Sequence, residues 1–371
     1  MIRTFGLCLV AVVALATAAS AGDLSTNADI FEDVGFFRGL TTQLDVSARA
    51  AGMGGAATAV PWGDLDHWAN PALLGDAHGL RYVHGTTRWP VGDVSFTSDV
   101  VQAGRRGLGV VLSGEPLDAG GATLDIGILE DAPFVDHVRG WGAGMRVLEA
   151  LGNVVPSAAR WSRTVDVSVG YMHKNNFADE FPDVSVHTHD WGAIAQVTPL
   201  DGYRDGGRTA AIGVAAGYCD INASGRSDDE LALPVSHQRR TGVAARFAVG
   251  RAPVIRPFGA ALTPLVTVIA SYDHADRGQG GNFYGHSDGG GAELTFMNVV
   301  ALRAGRYGDD WTYGWGLALP FGALGGISYD EARWPIADGF DPLHRRQFAV
   351  WLDPFAVWHA ASGEEQSRVT R

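Results

Sequence analysis

Cysteine is almost missing from this chain. Only Cys8 and Cys219 occur in 371 residues. Cys8 lies in an export leader described below, and Cys219 alone can form neither an intramolecular disulfide nor a cysteine metal cluster. Lysine is scarcer still: Lys174 is the single lysine among 28 basic residues, and the formal charge is −13. A chain so acidic is a poor partner for nucleic acid. After the leader no run of 18 apolar residues occurs. The nearest, 260–270, is short and contains Pro264, so no transmembrane helix is expected. No Gly-X-Y period exists, which excludes collagen, and an apolar content of 46% excludes a disordered chain. Glycine, by contrast, is abundant at 50 residues. Each interior helix position held by glycine costs about 1 kcal/mol, so a mostly helical protein is not expected.

Residues 1–21 read as a secretory signal. Arg3 gives a positive start, 7–16 is an unbroken apolar run too short to span a bilayer, and Ala19-Ser20-Ala21 supplies the small cleavage site. Losing Arg3 with the leader makes the mature charge −14. The mature chain is then either a soluble exported protein or an outer-membrane β-barrel.

From about Gly79 the pattern has period two. Val165, Val167, Val169 and Tyr171 alternate with Asp166, Ser168 and Gly170. Val94, Phe96 and Val100 alternate with Ser95, Thr97 and Asp99. Ala210, Ile212, Val214, Ala216 and Tyr218 share one face. Trp311, Tyr313, Trp315, Leu317 and Leu319 share another, and 291–304 reads as one strand carrying Leu294, Phe296, Val300 and Leu302 opposite Glu293, Thr295 and Arg303. Side chains alternate across a strand, so each segment has one greasy face and one small or polar face. The segments 163–173, 187–198, 208–219, 241–251, 262–273 and 291–304 approach the 9–11 residues of a tilted membrane strand rather than the 5–6 of a soluble sandwich. Trp89, Tyr171, Trp191, Tyr218, Tyr272, Trp311 and Trp358 sit toward segment ends, as an interfacial girdle would, although a soluble β-core could also hold them. Twelve clear strands lie within 79–358, and 122–129 and 139–148 supply two more, giving an all-β antiparallel barrel of fourteen. Threaded up and down, the connections 174–186, 220–240 and 274–290 fall on the side of the chain ends, where turns are usually short.

Residues 45–75 are the most distinctive stretch. Small residues dominate 50–59 and permit close backbone approach, as a segment threaded through a narrow lumen needs. Asn70-Pro71 suits a cap and first position of a helical turn over 71–74, buried by Trp68 and Leu73, and Gly75 suits a left-handed stop. Gly52-x-Gly54-x-x-Ala57 imitates a dinucleotide loop, but Pro61 follows too soon for the long helix that loop requires. Elsewhere chemistry is thinly marked. His187-x-His189 places two rings on one strand face without a third ligand. Asp64, Asp66 and His67 suit turn capping. Asp273, Asp276 and Asp288 lack calcium-loop spacing, and no Gly-x-Ser-x-Gly elbow surrounds Ser113 or any other serine. We expect no enzyme, no cofactor and no metal.

The blocks 47–60 and 64–75, together with 291–322 and 327–354, resemble the PorV/PorQ family of outer-membrane proteins, related to FadL-type transporters of hydrophobic compounds. In the second pair a Gly-x-Glu strand runs into an Arg-x-Gly turn, as in that family's last strands. The resemblance implies a fourteen-stranded barrel (79–358) with a periplasmic or luminal plug (22–78) and a short tail (359–371). It implies that Met53, Gly54, Gly55, Asp64, Trp68, Asn70, Pro71 and Ala72 belong to the plug. It further implies an outer-membrane location in contact with lipid and an accessory role in type IX-like protein secretion, with secreted cargo or a secretion pore as partner. The FadL branch implies instead a channel for a hydrophobic small molecule. A soluble exported binding or adhesion module is the third reading.

Overall fold

The computed structural model describes residues 47–63, 66–88, 95–113, 122–129, 132–178, 181–202, 209–223, 226–227, 237–256, 259–277, 285–321, 324–334 and 342–362. The expected leader, Asp64, Trp89 and residues 363–371 lie outside them. Two short helical pieces come first: α1 (Ala48–Gly52) and a 3-10 helix (Pro71–Asp76). Then follow β1 (Gly79–Arg88), β2 (Ser95–Arg105), β3 (Leu108–Ser113), β4 (Ala122–Leu129) and β5 (Ala132–Arg146). After α2 (Val147–Gly152) and α3 (Pro156–Trp161) come β6 (Val165–Ala178), β7 (Phe181–Asp201), β8 (Ala210–Ile221), β9 (Arg226–Ser227) and β10 (Gln238–Val249). The chain continues through β11 (Ala252–Arg256), β12 (Gly259–Thr263), β13 (Val266–Arg277), β14 (Gly285–Phe296), β15 (Val300–Tyr307), β16 (Asp310–Pro320), β17 (Gly325–Trp334) and β18 (Leu343–Leu352), and ends in α4 (Pro354–Ser362).

Neighbouring strands pair antiparallel, and β18 returns to β1 from Leu80↔Leu352 to Arg88↔His344. The sheet is therefore a closed barrel without an edge, which satisfies every ladder internally. β3 and β4 share one position in it. β3 bridges Val101–Arg105 of β2 to Gly140–Met145 of β5, whereas β4 bridges Ser95–Ser98 of β2 to Ala132–Val138 of β5. Counting that interrupted stave once, the barrel has fourteen staves. The β11–β12 hairpin forms its own two-stranded sheet, and β9 adds only to the end of β7.

Three strand readings need correction. Residues 291–304 are not one strand but the end of β14, a turn and the start of β15. Met297 and Asn298 adopt φ of 52° and 54°, and Val299 N–H donates to Phe296 C=O at 2.9 Å. Tight hairpins favour such left-handed pairs, normally with glycine, and here no glycine marks the turn. The threading also reverses, because β3 and β4 run in the same direction as one stave instead of two successive strands: the connections after β6, β8 and β13 lie on the rim opposite both chain ends, and the 297–299 hairpin restores the even count. Finally, the last strand ends at Leu352, and Trp358 stands on α4, 70% exposed.

The greasy stripes point outward. Val167 and Val169 are each 40% exposed while Asp166 is fully buried. Leu80, Leu112, Val214, Val243, Leu302, Leu317 and Val350 continue the apolar exterior around the wall. So much contiguous apolar surface is not a soluble protein's exterior. β2 is the exception to the outward rule. Phe96 and Val100 are 2% exposed and face inward, because there the interior itself is apolar.

Candidate functional site

The lumen is filled by residues 47–78, whose described members are almost all buried. Ser47 caps α1 by accepting from Ala50 N–H at 3.0 Å, and Asn70 caps the 3-10 helix by accepting from Ala72 N–H at 3.0 Å. Asp66 Oδ1 accepts from Ala69 N–H at 3.3 Å, the capping role expected of it. Gly75 is not a left-handed stop. The helix runs on to Asp76, and a side chain on Gly75 would strike the backbone of Met145 and Arg146 within 2.8 Å. Its need for glycine is one of approach, not of φ. Gly54 and Gly55 do require φ of 68° and 77°, and they turn the chain beside Met53.

The wall meets this segment with glycines of its own. A Cβ on Gly109 would lie 1.9 Å from Leu74 O, on Gly170 2.2 Å from Pro71 C and O, on Gly192 1.9 Å from Asn70 Oδ1, and on Gly217 2.5 Å from Thr58 O. Gly289, Gly291 and Gly305 approach Met53 and Gly54 as closely. Inward-facing glycine is thus the wall's half of a backbone-to-backbone fit.

Ionic and polar ties fix the same segment. The Arg49 guanidinium donates twice to Glu293, at 2.9 and 2.8 Å, and Arg303 donates to Glu293 at 2.7 Å and to Asp330 at 2.5 Å. Asp273 accepts from the N–H groups of Ala57 and Thr58 at 2.9 and 2.8 Å. Gly54 N–H donates to Thr312 at 2.9 Å. The single lysine, Lys174, is fully buried, 2.5 Å from Asp190 and over the ring of Trp68. Met53, Gly54, Gly55, Trp68, Asn70, Pro71 and Ala72 therefore all lie in the plug–wall contact.

On the side of the chain ends a cavity of about 670 Å³ opens beneath the plug, lined in part by Arg49, Asp76, Arg146, Asp166, Glu293 and Arg303. Burial pushes the Asp76 carboxyl up from 3.8 to about 7. Arg146 opposes the rise only partly, because it is shared with Glu149 and Asp166. Between about pH 4 and 7 the folded chain holds a proton there that the unfolded chain has released, so stability falls as pH rises through that window. Asp76→Asn should flatten this fall, as thermal melts at pH 5 and pH 8 would read. His67 behaves in the opposite sense. Burial, aided by Lys174, lowers it to about 3 and keeps the ring neutral.

Elsewhere the interior is greasy. Leu74 of the plug packs with Val83, Val100, Val111 and Ala349, and Phe96 on β2 and Val138 on β5 are buried as well. This patch lies beside the interruption between β3 and β4.

The outer wall carries a belt that sequence reading missed. Tyr82 donates to Asp99 at 2.5 Å, Tyr218 to Asp220 at 3.3 Å, Tyr272 to Asp288 at 2.8 Å and Tyr329 to Glu331 at 3.2 Å. Each carboxylate also faces an imidazole: His84 at 2.8 Å, His237, His274 at 2.7 Å and His344 at 3.8 Å respectively. The available signal was Tyr-x-His or Tyr-x-acid, two residues apart on one strand face. Of the girdle residues, Tyr171, Trp191, Tyr218 and Tyr272 join this belt. Trp311 lies near the same rim, and Trp358 is at the other end. Asp273 and Asp288 face opposite sides of the wall, so they share no calcium loop. No three described His, Cys, Asp or Glu residues converge as a metal site.

The fold and site together define a closed, plugged β-barrel with an apolar exterior. No family model matches the chain, and no curated protein matches it. Among solved structures it is similar to the CymD monoaromatic hydrocarbon channel (11% identity, 82% of this chain and 95% of that one, TM-score 0.38). It is similar also to a mutant of the TodX monoaromatic hydrocarbon channel (12%, 82% and 97%, TM-score 0.39) and to a Pseudomonas aeruginosa FadL homologue (9%, 82% and 97%, TM-score 0.34). At those scores the likeness adds no argument to what the ladders and the plug already establish.

Proposed function

We propose that this chain is a non-enzymatic outer-membrane channel that admits hydrophobic small molecules. One observation carries the reading. A run of apolar residues on the inner wall face, at Phe96, Val100, Val111 and Val138, adjoins the interrupted stave β3/β4. A hydrophobic solute partitions into such a patch at about 25 cal/mol per Å² removed from water. Leu74 fills the patch in the plugged state, so passage requires the solute to displace it. The apolar exterior supports placement in a bilayer, and detergent-free recovery in a soluble fraction would refute it.

The secretion-accessory role implied by the PorV/PorQ resemblance is the weaker reading. A polypeptide is far wider than the contact between plug and glycine cradle and would need the whole plug withdrawn.

Uptake decides the matter. Proteoliposomes holding the barrel should take up toluene or a pyrene-labelled fatty acid faster than empty vesicles. Val100→Asp should cut that rate at least tenfold while a heat-modifiability gel still shows a folded barrel. Equal rates with and without the protein would end the channel reading.

A further inference from the structure

The belt of tyrosines repeats five times, and its fifth copy breaks the rule. On β1, β8, β13 and β17 the tyrosine and an imidazole converge on a carboxylate. On β6 and β7 the corresponding residues are Tyr171, His173 and His189, with His187 beside them, and a second imidazole stands where the acid should be. In the register Tyr171 lies opposite Trp191, His173 opposite His189, and Asn175 opposite His187. All of these face outward and are reachable from solvent.

Two imidazoles are a poor replacement for an imidazole–carboxylate pair. Protonating either ring sets a cation against its neighbour, without the carboxylate that stands opposite the imidazole in the other four copies. The atoms that meet are both basic-capable nitrogens: His173 Nδ1 and His189 Nδ1 are 3.4 Å apart, and the Tyr171 hydroxyl touches the same His189 nitrogen. Metal–nitrogen bonds of about 2.05 Å at a tetrahedral angle place two ligand nitrogens about 3.4 Å apart. His187 stacks on His173, with ring centroids at 5.6 Å, and Trp141 and Trp191 pack against His173 and Tyr171. His189 in turn packs on both His173 and Tyr171, with ring centroids at 4.9 and 5.5 Å.

We propose that His173 and His189 bind a borderline divalent cation, zinc or copper(II), through their two Nδ1 atoms on the outer wall. The Tyr171 hydroxyl is the third ligand. It binds as phenolate, so one proton leaves to solvent for each ion bound, and water completes the coordination. Neutral imidazole suits such ions, with copper(II) bound more tightly than zinc. The site is independent of the channel: it lies on the other side of the wall from the plug.

The test uses the full-length barrel, without a histidine tag, in detergent. Isothermal titration with Zn²⁺ and with Cu²⁺ should show one equivalent bound, tighter at pH 8 than at pH 6. The copper complex should show nitrogen couplings from two imidazoles in its paramagnetic resonance spectrum. His173→Asn and His189→Asn should each weaken binding at least tenfold. At pH 8 Tyr171→Phe should remove one released proton per ion bound while leaving both nitrogen couplings. His274→Asn, in a copy with its carboxylate present, should change nothing. Binding that survives the double variant, or no binding below millimolar ion by a barrel shown folded on a gel, would overturn the proposal.

Discussion

Gly170→Val should abolish the folded, plugged barrel. A Cβ there would lie 2.2 Å from the carbonyl carbon and oxygen of Pro71 and 2.4 Å from Ala72 N. All three are backbone atoms, so no side-chain rotation relieves the clash, and either the plug or β6 must move. Overpacking at a site that cannot give is among the few mechanisms that cost a single substitution about 4 kcal/mol or more. The heat-modifiable band should fall to a small fraction of wild type. Gly290→Ala is the matched control: its Cβ meets nothing nearer than 3.5 Å, so its stability should stay within about 0.5 kcal/mol. If Gly170→Val folds normally and melts like wild type, the close contact between plug and wall is not what holds the lumen shut.

Glu293→Gln should be the next most damaging change. The carboxylate sits between Arg49 of the plug and Arg303 of the wall, with all three side chains almost fully buried. Removing its charge leaves Arg303 with Asp330 but strips Arg49 of this buried acid. Breaking one side of a buried ion pair costs about 3–5 kcal/mol, most of it the penalty of the stranded partner. The midpoint of urea unfolding should drop accordingly. Planar-bilayer recordings should also show frequent openings absent from wild type, because the tie is between plug and wall. Adding Arg49→Met to Glu293→Gln should recover part of the loss, since the buried cation facing the neutralised position is gone. Costs that merely add would show that the two groups act separately.

Much of the barrel was legible in the sequence because the alternation of Val167 and Val169 with Asp166 and Ser168 is local. A strand with one wet and one greasy face announces itself within eight residues. What was illegible depended on partners far along the chain. Phe96 and Val100 alternate as cleanly as the rest, yet they point inward, and only their contact with the Leu74 side of the lumen explains why. The turn at Met297–Asn298 carries none of the usual glycine, so two strands merged into one, while β3 and β4, which share one stave, counted as two; the total stayed at fourteen, but the connections between those two places fell on the wrong rim. Gly109, Gly170, Gly192 and Gly217 looked like generic evidence against helix. Their shared purpose is visible only when the register brings them to one level around the plug. The caps at Asp66 and Asn70 were readable because a cap is a three-residue event, whereas Gly75 was misjudged because its constraint comes from β5.

The two ends of the plug grip opposite arcs of the wall. The 3-10 helix touches β2, β3, β5, β6 and β7, whereas α1 touches β15, β16, β17 and β18. The first group is synthesised early and the second late, and at the β1–β18 seam only β1 stands between them. A peptide that binds both before the seam exists acts as a tie-rod, drawing the margins of an unfinished sheet to within pairing distance. In this chain the obstruction of the pore and the closing of the cylinder are then one event, and a shortened protein lacking residues 47–78 would be left with two unzipped margins instead of an open tunnel.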